Sequence, residues 1–311
     1  MIIEIPKILK LNDIATFLMR IEKVFSMQEK MEPNVIIDLT KIKKTSVLGI
    51  LLIYKLIDYT YHHNCFKRPN LNVNEFIKKE WHRYGFFELI ESYVSNKDIS
   101  ENSYKGLRIH VEDKFIIAPQ PLLRKDNYSN KVLKDKFLPK IEKYYSHDDK
   151  AVSMIFLCLS EVLLNFWEHA VEDTKSILVA EGNKQVIEIA CADTGNGIVS
   201  TLGKTLHAQN YSKQQILKKS VEKGVTSKSM TNHMGYGLWI LDEIIKLTNG
   251  KLHIYSQGAF YRNDMGNKQS GECGFWQGAI IYLSLPLRNP KTLSDIEGCN
   301  FENDKLQINW I

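Results

Sequence analysis

The hydrophobic positions of the chain follow a strand-like spacing in some segments and a helix-like spacing in others. Alternating or β-branched runs predict strands, and apolar residues every three or four positions predict helices. The strand-like runs are MIIEIP (1–6), NVIIDLT (34–40) and VIEIACA (186–192), and the helix-like runs are DIATFLMRIEKVF (13–25), VLGILLIYKLIDYTYHH (47–63), VNEFIKKEWHRYGFFELIESYV (73–94) and SMIFLCLSEVLLNFWEHA (153–170). Interleaved strands and helices predict an α/β fold, with Asp13 as the cap of the first helix.

A polar stretch, SNKDISENSYKG (95–106), interrupts this pattern and is the best candidate for a linker. We therefore predict a smaller α/β domain over residues 1–104, a second domain over 105–290 and a C-terminal tail over 291–311. Within the second domain, the polar, glycine-containing segment SQGAFYRNDMGNKQSGECG (256–274) favours a solvated hairpin loop.

Two polar residues interrupt the most apolar helix of the second half. Glu161 and Asn165 are four positions apart and therefore share one helical face, which His169 extends by one more turn. A carboxylate in this position can activate water, while an amide oxygen can coordinate a hard cation such as Mg²⁺. An ordinary amphipathic helix with capping or solvated residues explains the same pair equally well.

Two glycine motifs follow. Asp193 ends a predicted strand in DTGNGI, where a carboxylate can accept a hydrogen bond from an exocyclic amine and where Gly195 and Gly197 let a flat base approach the backbone. A simple Asp/Gly turn is the alternative. The later GYGLWI places Gly235 and Gly237 just before a helix predicted over 238–247, whose free N–H groups suit phosphates.

Together these motifs, in this order, resemble those of the Bergerat-fold ATPases, the GHKL superfamily of gyrase, heat-shock chaperones, histidine kinases and MutL-type proteins. The resemblance covers about residues 105–288 and implies an α/β two-layer sandwich, with a mixed sheet and helices on one face. It implies ATP and Mg²⁺ as ligands, with Glu161 as the catalytic base and Asn165 as the Mg²⁺ ligand. The residues that would contact the nucleotide are Asn165, His169, Asp193, Gly195, Gly197, Ile198, Thr226, Ser227, Lys228, Gly235, Tyr236, Gly237 and Leu238.

The sequence departs from that family at its last strand. The family often has a Gly-Thr pair there, and this chain has Gly278 followed by Ala279. A hydroxyl that commonly helps to hold adenine through water is therefore missing, and Asp193 would carry the direct contact to the base.

The N-terminal segment NVIIDLTKIKKTSVLGILLIYKL resembles the STAS domain of anti-sigma-factor antagonists. Thr45 and Ser46 occupy the paired-hydroxyl position, while Lys44 and Val47 depart from the motif. The resemblance implies a STAS-like α/β domain and makes Ser46 a candidate phosphorylation site. The alternative is that Ser46 only caps the following helix.

Composition argues against several classes of protein, among them nucleic-acid-binding, disulfide-rich and membrane proteins. The chain has 311 residues, 44% of them hydrophobic and 25% charged, with a net charge of +5. No Lys/Arg block indicates nucleic-acid binding, since KIKK (41–44) is typical of a solvated turn. The five cysteines show no CxxC spacing, and Lys55 and Glu161 break the longest apolar runs. We therefore expect a cytoplasmic protein without disulfides, metal clusters or membrane spans.

Three functions remain open from these residues. We expect an Mg-dependent ATPase that acts as a nucleotide-driven switch on a protein partner, an assembly or a homodimer. The alternatives are a serine protein kinase that acts on a STAS domain, and a nucleotide-gated interaction module with little turnover. A histidine kinase is disfavoured, because His147 lies too close to Glu161 for a separate phosphoacceptor hairpin.

Overall fold

The computed structural model describes residues 1–26, 34–63, 69–86, 89–90, 115–122, 132–146, 148–169, 176–206, 210–227 and 235–296. The linker candidate at 95–106, His147, Lys228 and most of the predicted tail lie outside these residues. The boundary near residue 104 therefore stays a prediction.

The N-terminal part contains short parallel strands and three helices among its described residues. Its elements are β1 (Ile2–Glu4), β2 (Ile8–Leu9), α1 (Ile14–Phe25), β3 (Ile36–Asp38), β4 (Lys44–Thr45), α2 (Val47–His62), β5 (Asn70–Asn72) and α3 (Glu75–Tyr84). Strands β1, β3 and β5 form one parallel sheet in that order, and β2 pairs with β4 in a second. Helix α2 is apolar almost all round and is buried over most of its length, as expected for a helix with elements packed on several sides.

The second part contains a larger sheet and further helices. Its elements are β6 (Phe115–Leu122), α4 (Leu138–Tyr145), α5 (Asp149–His169), β7 (Ser176–Gly182), β8 (Val186–Ala192), α6 (Ile198–Thr205), α7 (Lys213–Lys219), α8 (Gly237–Thr248), β9 (Lys251–Ser256), β10 (Ala259–Asp264), β11 (Asn267–Glu272) and β12 (Ala279–Pro286). The described strands form a seven-stranded sheet in the order β11-β10-β9-β12-β8-β7-β6.

Each face of this sheet belongs to a different hydrophobic core. On one face, which we call the helical face, α4, α5 and α8 pack against side chains such as Ile189, Ile254 and Ile281. On the other, which we call the N-terminal face, α2 packs on β7 and β8, and α3 packs on β6. Side chains of this second face, among them Ala190, Tyr255 and Trp276, share one core with the N-terminal sheets and helices.

The structure confirms the predicted α/β class but differs from the predicted sheet in the direction of its strands. Every pairing of the described seven strands is antiparallel, so the prediction of a mixed sheet is wrong. The described helices of the second part lie on one face, as predicted, and helices α2 and α3 of the N-terminal part cover the other. Strand β7 is accordingly buried at six of its seven residues, so neither of its faces is solvated.

Three local predictions also need correction. The segment 256–274 is the hairpin β10–β11 rather than a loop, because Ala259, Tyr261 and Asn263 alternate toward the core. Asp13 does not cap α1 with its side chain; its carboxylate accepts a hydrogen bond from the backbone N–H of Lys10 instead. The helix predicted over 73–94 is interrupted, since α3 ends at Gly85 in the left-handed conformation.

Among the described helices, none combines the length and the apolar composition that a membrane crossing requires.

Candidate functional site

Helix α5 carries Glu161 and Asn165 on one face, as the spacing predicts. Both side chains are half-buried, and the amide nitrogen of Asn165 donates a hydrogen bond to the carbonyl oxygen of Glu161 at 2.7 Å. Nearby, burial and then the charge of Glu161 raise the pKa of the Cys158 thiol, so this cysteine is an inert core residue. His169 is the last residue of the helix.

The Asp193 carboxylate is held by backbone groups from two directions. Its Oδ1 accepts hydrogen bonds from the N–H of Gly195 at 2.7 Å and from the N–H of Ala279 at 3.3 Å, and the side chain is almost fully buried. Its own backbone N–H donates to the carbonyl oxygen of Ala279 at 3.0 Å. These contacts tie DTGNGI to the start of β12 and fix the direction of the carboxylate.

Gly278 has no room for a side chain, because it packs directly on Asp193. A Cβ built at Gly278 would lie 2.0 Å from Oδ1 of Asp193 and 2.5 Å from its carbonyl oxygen. Contacts this short do not occur between non-bonded atoms. The close approach of Asp193 therefore requires glycine at position 278. No local sequence pattern reveals this requirement, because the two residues lie far apart in the chain.

The turn after β9 holds the glycines of DTGNGI in place. Gly197 has a φ of 73°, and a Cβ there would lie 2.8 Å from both Ser256 Oγ and Gln257 Cδ. Ser256 Oγ accepts from the N–H of Ile198 at 2.9 Å, and Gln257 Oε1 accepts from the N–H of Ser200 at 2.7 Å. These two side chains thus satisfy free N–H groups at the start of α6, and sequence reasoning missed both.

Gly237 brings the third motif against the first. A Cβ at Gly237 would lie 2.7 Å from Glu161 Oε2 and 3.0 Å from Asn165 Nδ2. Any larger residue at the first position of α8 would therefore displace the two polar side chains of α5. The start of α8, Glu161 and Asn165 form one continuous surface.

Gly235 connects this surface to the segment before it. Its φ is 74°, and a Cβ would lie 2.7 Å from backbone atoms of Gly224 and Val225. The N–H of Gly224 donates to the carbonyl oxygen of Gly235 at 3.2 Å. Thr226 and Ser227 follow directly, and the Ser227 carbonyl oxygen accepts from Thr205 Oγ1 at 3.2 Å.

The remaining predicted residues flank the same region. The carbonyl oxygen of Tyr236 accepts the N–H of Ile240 at 2.7 Å, which begins the helical bonding of α8, and Leu238 is buried in the core of the helical face. The Tyr236 ring lies 5.8 Å from that of Trp239, and the Lys223 ammonium lies over both rings. Lys228, the basic residue predicted for phosphate contact, lies outside the described residues.

A small cavity joins the first two motifs. Asn165, Asp193, Gly197 and Ala279 line it, and its volume is about 30 Å³. Small-molecule sites usually measure ~300–1,000 Å³, so a nucleotide requires the surrounding groups to move apart. Among the described residues, no group of three or more His, Cys, Asp or Glu side chains could hold a metal ion alone.

An aromatic cluster lies behind Asp193, on the N-terminal face. The buried Trp276 donates its indole N–H to the carbonyl oxygen of Asp193 at 2.7 Å. The Phe25 ring of α1 packs on Trp276 with centroids 5.1 Å apart, and Tyr59 of α2 donates to Gln277 Oε1 at 3.2 Å. The N-terminal part therefore contacts the two residues that precede Gly278.

Ser46 lies in a different place and has a structural role. Its Oγ accepts the N–H of Gly49 at 3.2 Å, which caps α2, and its own N–H donates to the carbonyl oxygen of Leu9 at 3.1 Å. A phosphate here would have to replace the cap. Ser46 as a phosphorylation site stays a prediction.

Comparison with known proteins adds no relative: no family model matches the chain, and neither a curated protein nor a solved structure matches it.

Proposed function

We propose that the chain is a GHKL-type, Mg-dependent ATPase of the Bergerat fold, with an N-terminal STAS-like part. The observation that carries this proposal is the meeting of three sequence motifs at one surface. Gly237 contacts Glu161 and Asn165, and Asn165 lines a cavity together with Asp193 and Gly197. If the three motifs were chance matches in unrelated turns and helices, they would not be expected to meet at one surface.

Each residue has a role that follows from its chemistry. Asp193 accepts the exocyclic amine of adenine, and the amides at the start of α8 bind phosphate oxygens. Thr226, Ser227 and Lys228 add hydroxyl and ammonium groups to the phosphates. Glu161 polarises the attacking water.

Magnesium fits the donor set only together with the phosphates. Asn165 uses its amide nitrogen for the Glu161 carbonyl oxygen, so its Oδ1 is the atom that would coordinate the cation. One protein oxygen with phosphate oxygens and water is a usual Mg²⁺ environment, whereas a cage made by protein alone is not. The cation would neutralise phosphate charge during transfer.

The small cavity makes binding a conformational event. A nucleotide that fits only after the motifs separate stabilises the open arrangement, so binding energy can change a surface elsewhere. This supports a switch that acts on a protein partner or on a second copy of the chain. A module that binds ATP with little turnover would use the same movement.

The test uses γ-labelled ATP with Mg²⁺ and the full-length protein, and follows free phosphate and protein-bound label together. Asp193→Asn should abolish binding, whereas Glu161→Gln should keep binding and lose hydrolysis. Glu142→Gln, which changes an exposed glutamate of α4, is the matched control.

The outcomes separate the candidate functions. Free phosphate that depends on Glu161 supports the ATPase switch. Label on protein that disappears with Ser46→Ala would instead identify a kinase, and binding without either product would identify a nucleotide-gated module. Full ATP binding by Asp193→Asn would contradict the proposed site.

A further inference from the structure

A groove opens at the carboxyl ends of the parallel strands β1 and β3, far along the chain from the motifs above. Its volume is about 490 Å³, and it is formed by residues 4–7 after β1, by Lys41 and Lys43 after β3, and by Arg20 of α1. In parallel α/β sheets ligands bind at this edge, because the loops that leave the strands surround a crevice there. The volume falls within the ~300–1,000 Å³ of small-molecule sites.

The groove carries more positive than negative charge. Lys7, Arg20, Lys41 and Lys43 line it, and Glu4 is the one acidic residue among its described lining. Glu4 pairs with Lys41 at 2.9 Å. The other three cations make no ion pair with any carboxylate in the part of the chain that the structure describes.

Backbone hydrogen bonds fix the lysines of the groove in place. The N–H groups of Lys43 and Lys44 both donate to the carbonyl oxygen of Lys7, at 2.8 and 3.3 Å. The loops after β1 and β3 are therefore joined, and their backbones cannot separate without breaking these bonds. Beneath them, Ile5 is fully buried and provides a rigid base.

We propose that this groove binds a small, multiply phosphorylated anion, whose phosphate oxygens contact Lys7, Arg20 and Lys43. Arginine matches two phosphate oxygens at once, while lysines add point charges that tolerate several ligand shapes. The ligand occupies the N-terminal part and not the surface formed by Glu161, Asn165 and Gly237. The inference therefore does not depend on the proposed ATPase function.

The first experiment is lysine acetylation of the full-length protein, read by mass spectrometry, with and without inorganic tripolyphosphate. We expect protection of Lys7 and Lys43, and no protection of Lys134 and Lys143, which are exposed elsewhere. Because the readout is resolved by residue, tripolyphosphate bound at the proposed ATP site would not imitate it. Equal acetylation of Lys7 and Lys43 with and without tripolyphosphate would overturn the proposal.

Calorimetric titration with tripolyphosphate then tests the contribution of the cations. Lys7→Gln combined with Lys43→Gln should weaken binding about tenfold, since each exposed ionic contact contributes modestly. Lys134→Gln combined with Lys143→Gln removes the same charge and should retain the wild-type affinity. Equal losses in both variants would indicate a general charge effect and overturn the proposal.

A single-stranded oligonucleotide serves as the second ligand, because its backbone offers the same phosphate chemistry in a macromolecule. Protection of Lys7 and Lys43 by the oligonucleotide but not by tripolyphosphate would replace the small anion with nucleic acid. The proposal is supported if tripolyphosphate protects Lys7 and Lys43 at a lower concentration of phosphate groups than the oligonucleotide requires.

Discussion

The contact between Gly278 and Asp193 gives the sharpest test of the candidate site. In Gly278→Ala the new methyl group would lie 2.0 Å from Asp193 Oδ1, which is about 1.4 Å inside ordinary van der Waals contact. The φ of Gly278 is not in the left-handed region, so the effect of alanine comes from its clashes with Oδ1 and, at 2.5 Å, with the carbonyl oxygen of Asp193. The carboxylate must therefore turn, and the backbone of Asp193 must shift as well.

Two hydrogen bonds determine the size of the effect. Moving Oδ1 by that distance breaks its bonds to the N–H groups of Gly195 and Ala279. Crowding in a packed core costs ~1–3 kcal/mol, so we expect the free energy of unfolding to fall by about 2 kcal/mol. A lost contact between a charged group and the base is worth ~2–3 kcal/mol, so ATP affinity should fall about 30- to 150-fold.

The assay is ATP titration by calorimetry beside urea unfolding, with Gly203→Ala as the control. A Cβ at Gly203 would meet only Ile216 Cδ1, at 3.3 Å, and this residue lies inside α6, where alanine favours the helix. The control should bind ATP normally. A Gly278→Ala protein with wild-type stability and ATP affinity would refute the described position of Asp193.

Three further outcomes follow from other buried polar groups of the protein. Trp276→Phe keeps the ring packing but removes the N–H donated to Asp193, so ATP affinity should fall about fivefold; an unchanged titration would contradict this. Asp58→Asn removes the charge that pairs with the buried Lys55 at 2.8 Å, so the free energy of unfolding in urea should fall by about 3 kcal/mol. Lys55→Met combined with Asp58→Leu should come close to the wild-type free energy of unfolding. Burial lowers the pKa of His253 below 6.5, so the unfolded chain binds a proton at this residue more readily than the folded protein does. The free energy of unfolding should therefore fall as the pH drops below 6.5, and His253→Gln should lessen this fall. Equal dependence of the free energy of unfolding on pH in the wild type and the variant would argue against this.

Local sequence patterns were sufficient to predict those helices and strands whose bounds are decided by neighbouring residues. The apolar run of α2 and its start at Ser46 follow from periodicity and capping, and Asn249 adopts the left-handed conformation that ends α8 next to Gly250. Strand β8 likewise coincides with the predicted run VIEIACA. In each case the residues that decide the element lie within it or beside it.

Of the residues that form the candidate site, only those within the three motifs could be predicted from the sequence. Gly278, Ser256 and Gln257 support these residues through contacts with positions about 60 to 80 residues earlier, which no sequence window contains. Strand β10 was missed because a polar residue, Asn263, occupies a core position. Its amide is satisfied by Asp242 of α8, at 2.8 Å.

The covering of the N-terminal face by α2 has a consequence for synthesis of the protein. Helix α2 ends at His62, and β7 and β8, the strands on which it packs, are complete only at Ala192. At ~5–20 residues per second, roughly 6 to 26 s pass before the ribosome adds this surface. During that interval an apolar helix has been made without the strands that bury it, which makes the nascent chain a natural client of chaperones.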